Sequence, residues 1–234
     1  KKDFVSASEI SDYKDSNGNP IYFNQVRSLV TGTKILVLDA SNNTYLTTTT
    51  YYDNKYRPIQ ILRDIYEGGS VSREVTSNKY DFIGQVLKTQ VSQIFNSAPT
   101  TVNKYFTYDH MGRLLAEEQL ISGDNNGMVR LSEMTYDDLG QLKKKKLNVS
   151  GATALQTIDY TYNIRGWLTA INDPENIGDD MFAMNLYYNT IGTGSLISQQ
   201  QFNGNISGVK WKSDDEPIKG YGFTYDALNR LTDS

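Results

Sequence analysis

Tyr108-Asp109-His110-Met111-Gly112-Arg113-Leu114 reads as the tip of a β-hairpin. Asp109 can accept hydrogen bonds from the backbone amides that follow it, and Gly112 tolerates the positive φ of a left-handed residue closing a type I turn. Such a turn sets Tyr108 across from Leu114, and cross-strand pairs of this kind contribute on the order of 0.2–1 kcal/mol each. The frame Tyr-Asp/Asn-x-x-Gly-x-Leu/Val occurs three more times, with Tyr80, Asp81, Gly84 and Val86, with Tyr136, Asp137, Gly140 and Leu142, and with Tyr162, Asn163, Gly166 and Leu168. Two looser copies flank these. Tyr225-Asp226 is followed by Asn229 and Leu231, and Asn is the next-best residue for positive φ. Tyr52-Asp53 is followed by Tyr56 in the glycine place, which predicts either strain or a locally different loop.

The tyrosines at 52, 80, 108 and 136 stand 28 residues apart, and the step to Tyr162 is 26. A unit of that length holds two strands of about nine residues with a tip and a return loop. Thr47 to Tyr52, Val102 to Tyr108 and Ile158 to Tyr162 have strand composition. Phe106, Met134, Tyr160 and Phe223, each two before a frame tyrosine, extend an apolar face near the tip. Return-loop chemistry stands at Glu67-Gly68-Gly69-Ser70, Ser122 to Gly127 and Ser150-Gly151. Further turns are expected at Asp15 to Pro20, Asn203-Gly204-Asn205 and Asp214 to Pro217. Ile59 to Tyr66 and Asp179 to Asn185 are the only short helix candidates. With no linker in the series, residues 1–234 read as a single repeat array.

The chain has 234 residues, enough for a sizeable core. A net charge of −4 argues against a nucleic-acid backbone as partner, because phosphate contacts are made by clustered Lys and Arg. The one basic cluster, Lys143 to Lys146, reads as a solvated strand or a protected sheet edge. Having no cysteine, the chain offers neither disulfides nor a thiol nucleophile, and secreted and cytosolic settings stay open. No apolar run reaches the roughly 18 residues of a spanning helix. Lys1-Lys2-Asp3-Phe4 does not open a signal peptide, and the segment looks excised from a longer chain.

The frame, clearest at Tyr108 to Leu114, resembles the YD repeat of RHS (rearrangement hotspot) proteins. The phrases Arg57-Pro58-Ile59-Gln60 after Tyr52-Asp53, Tyr162 to Leu168, and Gly220 to Leu231 are similar to bacterial members. The resemblance implies a sheet strip that spirals into a hollow shell. In bacterial relatives the shell encloses a C-terminal toxin, and in animal relatives it belongs to a cell-surface adhesion protein. It therefore implies an all-β fold, a curved antiparallel sheet of successive hairpins, in a secreted or surface protein of a bacterium. The implied partners are flanking repeats and a downstream toxin or cargo domain. The resemblance does not bring the family's self-cleaving aspartates, since Asn172-Asp173-Pro174-Glu175 lacks the family's following Gly and lies mid-chain.

Candidate sites are weighed against folding roles. His110, the single histidine, occupies a variable turn position without a nucleophile beside it, and no catalytic residue is assigned. Asp15-Ser16-Asn17-Gly18-Asn19 lacks the closing Glu of an EF-hand, so no metal or cofactor is assigned. A residue type that recurs once per unit is a folding device rather than an active site, which is a unique constellation. The candidates left for ligand contact are Trp167 and Trp211, whose flat faces can stack on a sugar of a surface glycan. Trp167 follows the turn glycine and is expected to be exposed. Open edges at the ends of the array predict edge-to-edge self-association.

Overall fold

A computed structural model describes residues 22–23, 25–38, 43–95, 98–189, 199–214 and 216–233. No helix occurs among them. The chain divides into two compact units, Lys1–Val129 and Arg130–Ser234. The first is a meander of β1 (Gly32–Leu36), β2 (Tyr45–Tyr52), β3 (Pro58–Glu67), β4 (Ser70–Tyr80), β5 (Val86–Phe95), β6 (Ala98–Tyr108) and β7 (Leu114–Ile121). Each strand pairs antiparallel with the next in sequence. The second starts within β8 (Met128–Tyr136) and continues through β9 (Leu142–Ser150), β10 (Thr153–Tyr162), β11 (Leu168–Ile171), β12 (Phe182–Tyr187), β13 (Gly208–Ser213) and β14 (Lys219–Gly222). Its strands pair in the same way. β15 (Thr224–Tyr225) and β16 (Leu231–Asp233) close the last hairpin. The expected all-β succession of antiparallel hairpins is the fold.

Register follows the frame. Tyr52 pairs with Pro58, Tyr80 with Val86, Tyr108 with Leu114, Tyr136 with Leu142, Tyr162 with Leu168 and Tyr225 with Leu231. In every one of these hairpins the ladder slips by one residue just before the tyrosine, a β-bulge that the turn chemistry did not announce. The return at Glu67–Ser70 is a two-residue hairpin whose Gly68 and Gly69 both have positive φ.

Three sequence expectations change. The helix candidate at Ile59 to Tyr66 lies inside β3, held by β2 on one side and β4 on the other. Asp179 to Asn185 runs from a turn into β12. In both, ladder partners on two flanks outweigh a short apolar run. Lys143 to Lys146 is not at an edge, because β9 pairs with β8 and β10. Lys144 meets Asp159 at 3.1 Å and Lys146 meets Glu133 at 3.5 Å, so cross-strand carboxylates, not an open edge, account for the charge. The turn expected at Asp15 to Pro20 lies outside the described residues.

Burial is sparse and partly polar. In the first unit Ile59 and Leu62 are 1% and 2% exposed. Beside them Gln60, Ser77, Gln90 and Asn103 stand opposite one another across four strands. Gln60 donates to Ser77 Oγ at 3.2 Å and Gln90 to Asn103 Oδ1 at 2.8 Å. In the second unit Met134, Val149, Ile177, Ala183 and Tyr188 are buried. Lys210 is buried too and is paired with Glu175.

Candidate functional site

A construction that recurs through the described chain is the hairpin tip. In the Tyr108 frame, Asp109 Oδ1 accepts from the amides of Met111 and Arg113, each at 2.9 Å. The Gly112 amide donates to the Asp109 carbonyl and the Asp109 amide to the Arg113 carbonyl. The Asp53, Asp137, Asn163 and Asp226 tips repeat this pattern. Tyr56 has φ 62° and keeps both tip bonds, so of the two alternatives left open at this residue the different loop is ruled out. The exception is instead Gly84, whose amide donates to Asp81 Oδ1 and whose φ is 105°.

A second layer joins tip to tip. The Tyr80 hydroxyl donates to the Pro58 carbonyl and the Tyr108 hydroxyl to Val86, both at 3.0 Å. In the second unit Tyr162 donates to Leu142, Tyr188 to Leu168 and Tyr225 to Ile206. The acceptor is the carbonyl at the start of the strand leaving the preceding tip, except that Ile206 stands two residues before β13. Burial raises the pKa of Tyr80, Tyr108, Tyr162 and Tyr188, which keeps these hydroxyls protonated donors. The residue after the glycine also hooks forward. Arg57 donates to the Asp81 carbonyl at 2.9 Å, Gln85 to Gly112 at 3.0 Å and Gln141 to Gly166 at 3.2 Å.

These bonds expose two copies that the sequence reading missed. Tyr52 donates to the Val30 carbonyl at 2.9 Å, and Ser28, two residues before Val30, has φ 64°. Tyr188-Asn189 begins another, which ends at Gly204 and Ile206 after 18 residues instead of 6. Its signal was present: Tyr188 lies 26 residues after Tyr162.

Trp167, expected to be exposed, is half-buried. Its ring lies 5.0 Å from that of Tyr188, and it covers Gly204, where an added Cβ would stand 3.3 Å from Trp167 Cζ2. It occupies the forward-hooking position, so it packs on the next tip. Beside it lies a cleft of about 300 Å³ lined by Tyr162, Asn163, Ile164, Arg165 and Asn189. The Arg165 guanidinium sits 5.1 Å from the Trp167 ring and donates to the Phe202 carbonyl. Trp211 is half-buried against Tyr221, with ring centres 5.4 Å apart. The two tryptophans therefore occupy separate packing contacts. His110 is exposed at its tip. Asp173 heads a turn, its carboxylate accepting from Glu175 N. Among the described residues no group of three or more His, Asp or Glu could hold a metal ion. No helix there is long and apolar enough to cross a membrane.

No family model matches the chain, and no curated protein does. Among solved structures it is similar to TcdB2-TccC3-TEV, at 16% identity and a TM-score of 0.46, over 92% of this chain and 12% of that one. TcdB2-TccC3 without its hypervariable C-terminal region matches at 15% identity and 0.44, over 94% and 12%. A porin-like protein from Bacteroides uniformis matches at 10% identity and 0.20, over 78% and 96%. The chain thus spans about 12% of the length of the two TcdB2-TccC3 structures.

Carboxylates at three tips and one within β3 give a pH prediction. Burial alone would raise Asp53, but the Arg57 and Lys55 amides and the Arg57 guanidinium hold it below the usual range. For Asp64, burial is likewise outweighed by Thr47 and Arg73. Asp109 and Asp226 are lowered first by the amides of Arg113 and Arg230. A depressed carboxylate contributes stability that is fully present above its unfolded value of about 3.9 and is lost as pH falls through the folded value. The thermal midpoint, followed by circular dichroism, is expected to hold from pH 7 to 5 and drop below about pH 4. A flat midpoint down to pH 2.5 would contradict it.

Proposed function

We propose that residues 1–234 form one array of YD repeats, a non-catalytic structural segment of an RHS-type shell. Its role is containment: the strip walls off a downstream toxin or effector domain of the parent chain, and flanking repeats continue it. The parent is a secreted or surface protein of a bacterium, and the segment needs no cofactor. The observation that carries this reading is the tyrosine rail. At the described tips the frame Asp or Asn caps its own turn and the frame tyrosines bond to the preceding tip, which suits a wall built by repetition.

The test is limited proteolysis of the parent polypeptide. The segment downstream of the array is expected to be cut far more slowly in the intact protein than when expressed alone. Equal rates would sink the containment reading. Equal rates together with retained binding to a glycan panel would favour the second reading, a carbohydrate- or protein-binding adhesion module. That module's address is the cleft lined by Tyr162, Asn163, Ile164, Arg165 and Asn189, where one aromatic ring stands with polar side chains.

A further inference from the structure

Tyr56 is the one aromatic residue among the tip positions with positive φ, where its counterparts are Ser28, Gly84, Gly112, Gly140, Gly166, Gly204 and Asn229. A bulky side chain in the left-handed region is unfavourable, so something outside the turn must offset it. The neighbouring chain supplies that. Phe23 lies edge-on to Tyr56, with centroids 5.6 Å apart and planes at 81°. Tyr22 packs on Tyr51 at 5.4 Å. The Phe23 amide donates to the Tyr52 carbonyl at 2.8 Å. In the later frames the residue before the tyrosine pairs within its own hairpin, as Thr107 does with Ala116 and Thr135 with Lys144. Phe23 bonds instead to the following frame.

We propose that Tyr22 and Phe23 form a strap across the tip of the Tyr52 frame and that Tyr56 is the clasp that holds it. The two rings and the Phe23 amide make one latch, which fixes the path by which the chain enters the array. A turn-only account makes the opposite forecast, because Tyr56→Gly would then relieve strain and cost nothing.

Arg27, exposed and just beyond the strap, is the reporter. In the full chain, tryptic cleavage at Arg27 tracks the population of the opened strap when opening and closing are fast. Tyr56→Gly and Phe23→Ala are each expected to speed that cleavage about 2- to 10-fold, the equivalent of one aromatic pair. Because they remove the same contact, the double variant should be no faster than either single one. Tyr56→Phe, which keeps the ring, should cleave at the parental rate. Cleavage at Lys146 in β9 should stay unchanged in all variants, showing that the rest of the chain stays folded. Unchanged or slower cleavage at Arg27 in Tyr56→Gly would overturn the latch, and so would single effects that multiply in the double variant. Should Tyr56→Gly disturb the tip itself, Phe23→Ala, outside the turn, gives the same reading alone.

Discussion

Gly112→Ala is expected to lower stability by about 2–3 kcal/mol, well beyond the cost of the same change at Gly123. Both glycines have φ near +80°, so both pay the left-handed penalty of roughly 1–2 kcal/mol for a side chain. They differ in what surrounds them. A Cβ on Gly123 meets nothing within 4 Å, whereas on Gly112 it would stand 2.8 Å from Gln85 Nε2. That nitrogen is the donor to the Gly112 carbonyl, so the new methyl evicts the side chain that ties one tip to the next. The lost bond adds roughly 0.5–1.5 kcal/mol. Urea titration of the two variants measures the difference, and equal midpoint shifts would show that the hook contributes nothing. Gln85→Ala in the Gly112→Ala background should then add little, because the contact is already gone.

The frame was legible because its physics is local. Asp109 and Gly112 determine their own turn through bonds spanning four residues or fewer, and the turn then dictates which residue faces Tyr108. Nothing distant is needed, which is why the register at Tyr80, Tyr136, Tyr162 and Tyr225 could be read in advance. What failed depended on partners far away in sequence. The Ser28 copy keeps neither the Gly nor the Leu spelling, and it shows itself through Tyr52, 22 residues beyond its acceptor Val30. The Tyr188 copy has its closing half displaced by an insertion, so a search at fixed spacing passes over it. Trp167 was expected to stand free because its own hairpin gives its ring no partner. The ring's partners, Tyr188 and Gly204, belong to the copy that was not recognised. For the same reason the lysine run left a solvated strand and a protected edge both open, and its partners Glu133 and Asp159 lie on neighbouring strands that remove the edge.

Combined Tyr80→Phe, Tyr108→Phe, Tyr162→Phe and Tyr188→Phe is expected to cost about 2–6 kcal/mol, a substantial part of the 5–15 kcal/mol that separates an ordinary domain from its unfolded chain. The rings stay, so the aromatic packing is kept and only four hydroxyl donors are lost. Each removes the hydroxyl donor from a carbonyl at the mouth of a strand, at Pro58, Val86, Leu142 or Leu168, and of these Pro58 keeps a second donor in Asn78 Nδ2. The residues that carry these carbonyls are half-buried, and the net loss per site is taken in the usual range of roughly 0.5–1.5 kcal/mol. Tyr221→Phe, at a more exposed tyrosine off the rail, is the control and should shift the urea midpoint little. The losses should not simply add within a unit. Tyr80 and Tyr108 share a stack of hairpins, and loosening one tip lowers the cost of loosening the next, so the pair should fall short of its sum and the quadruple variant should lie in the lower part of that range. A quadruple variant within about 0.5 kcal/mol of the parent would mean that apolar pairing alone holds the hairpins together, and that the tyrosine rail records the repeat without supporting it.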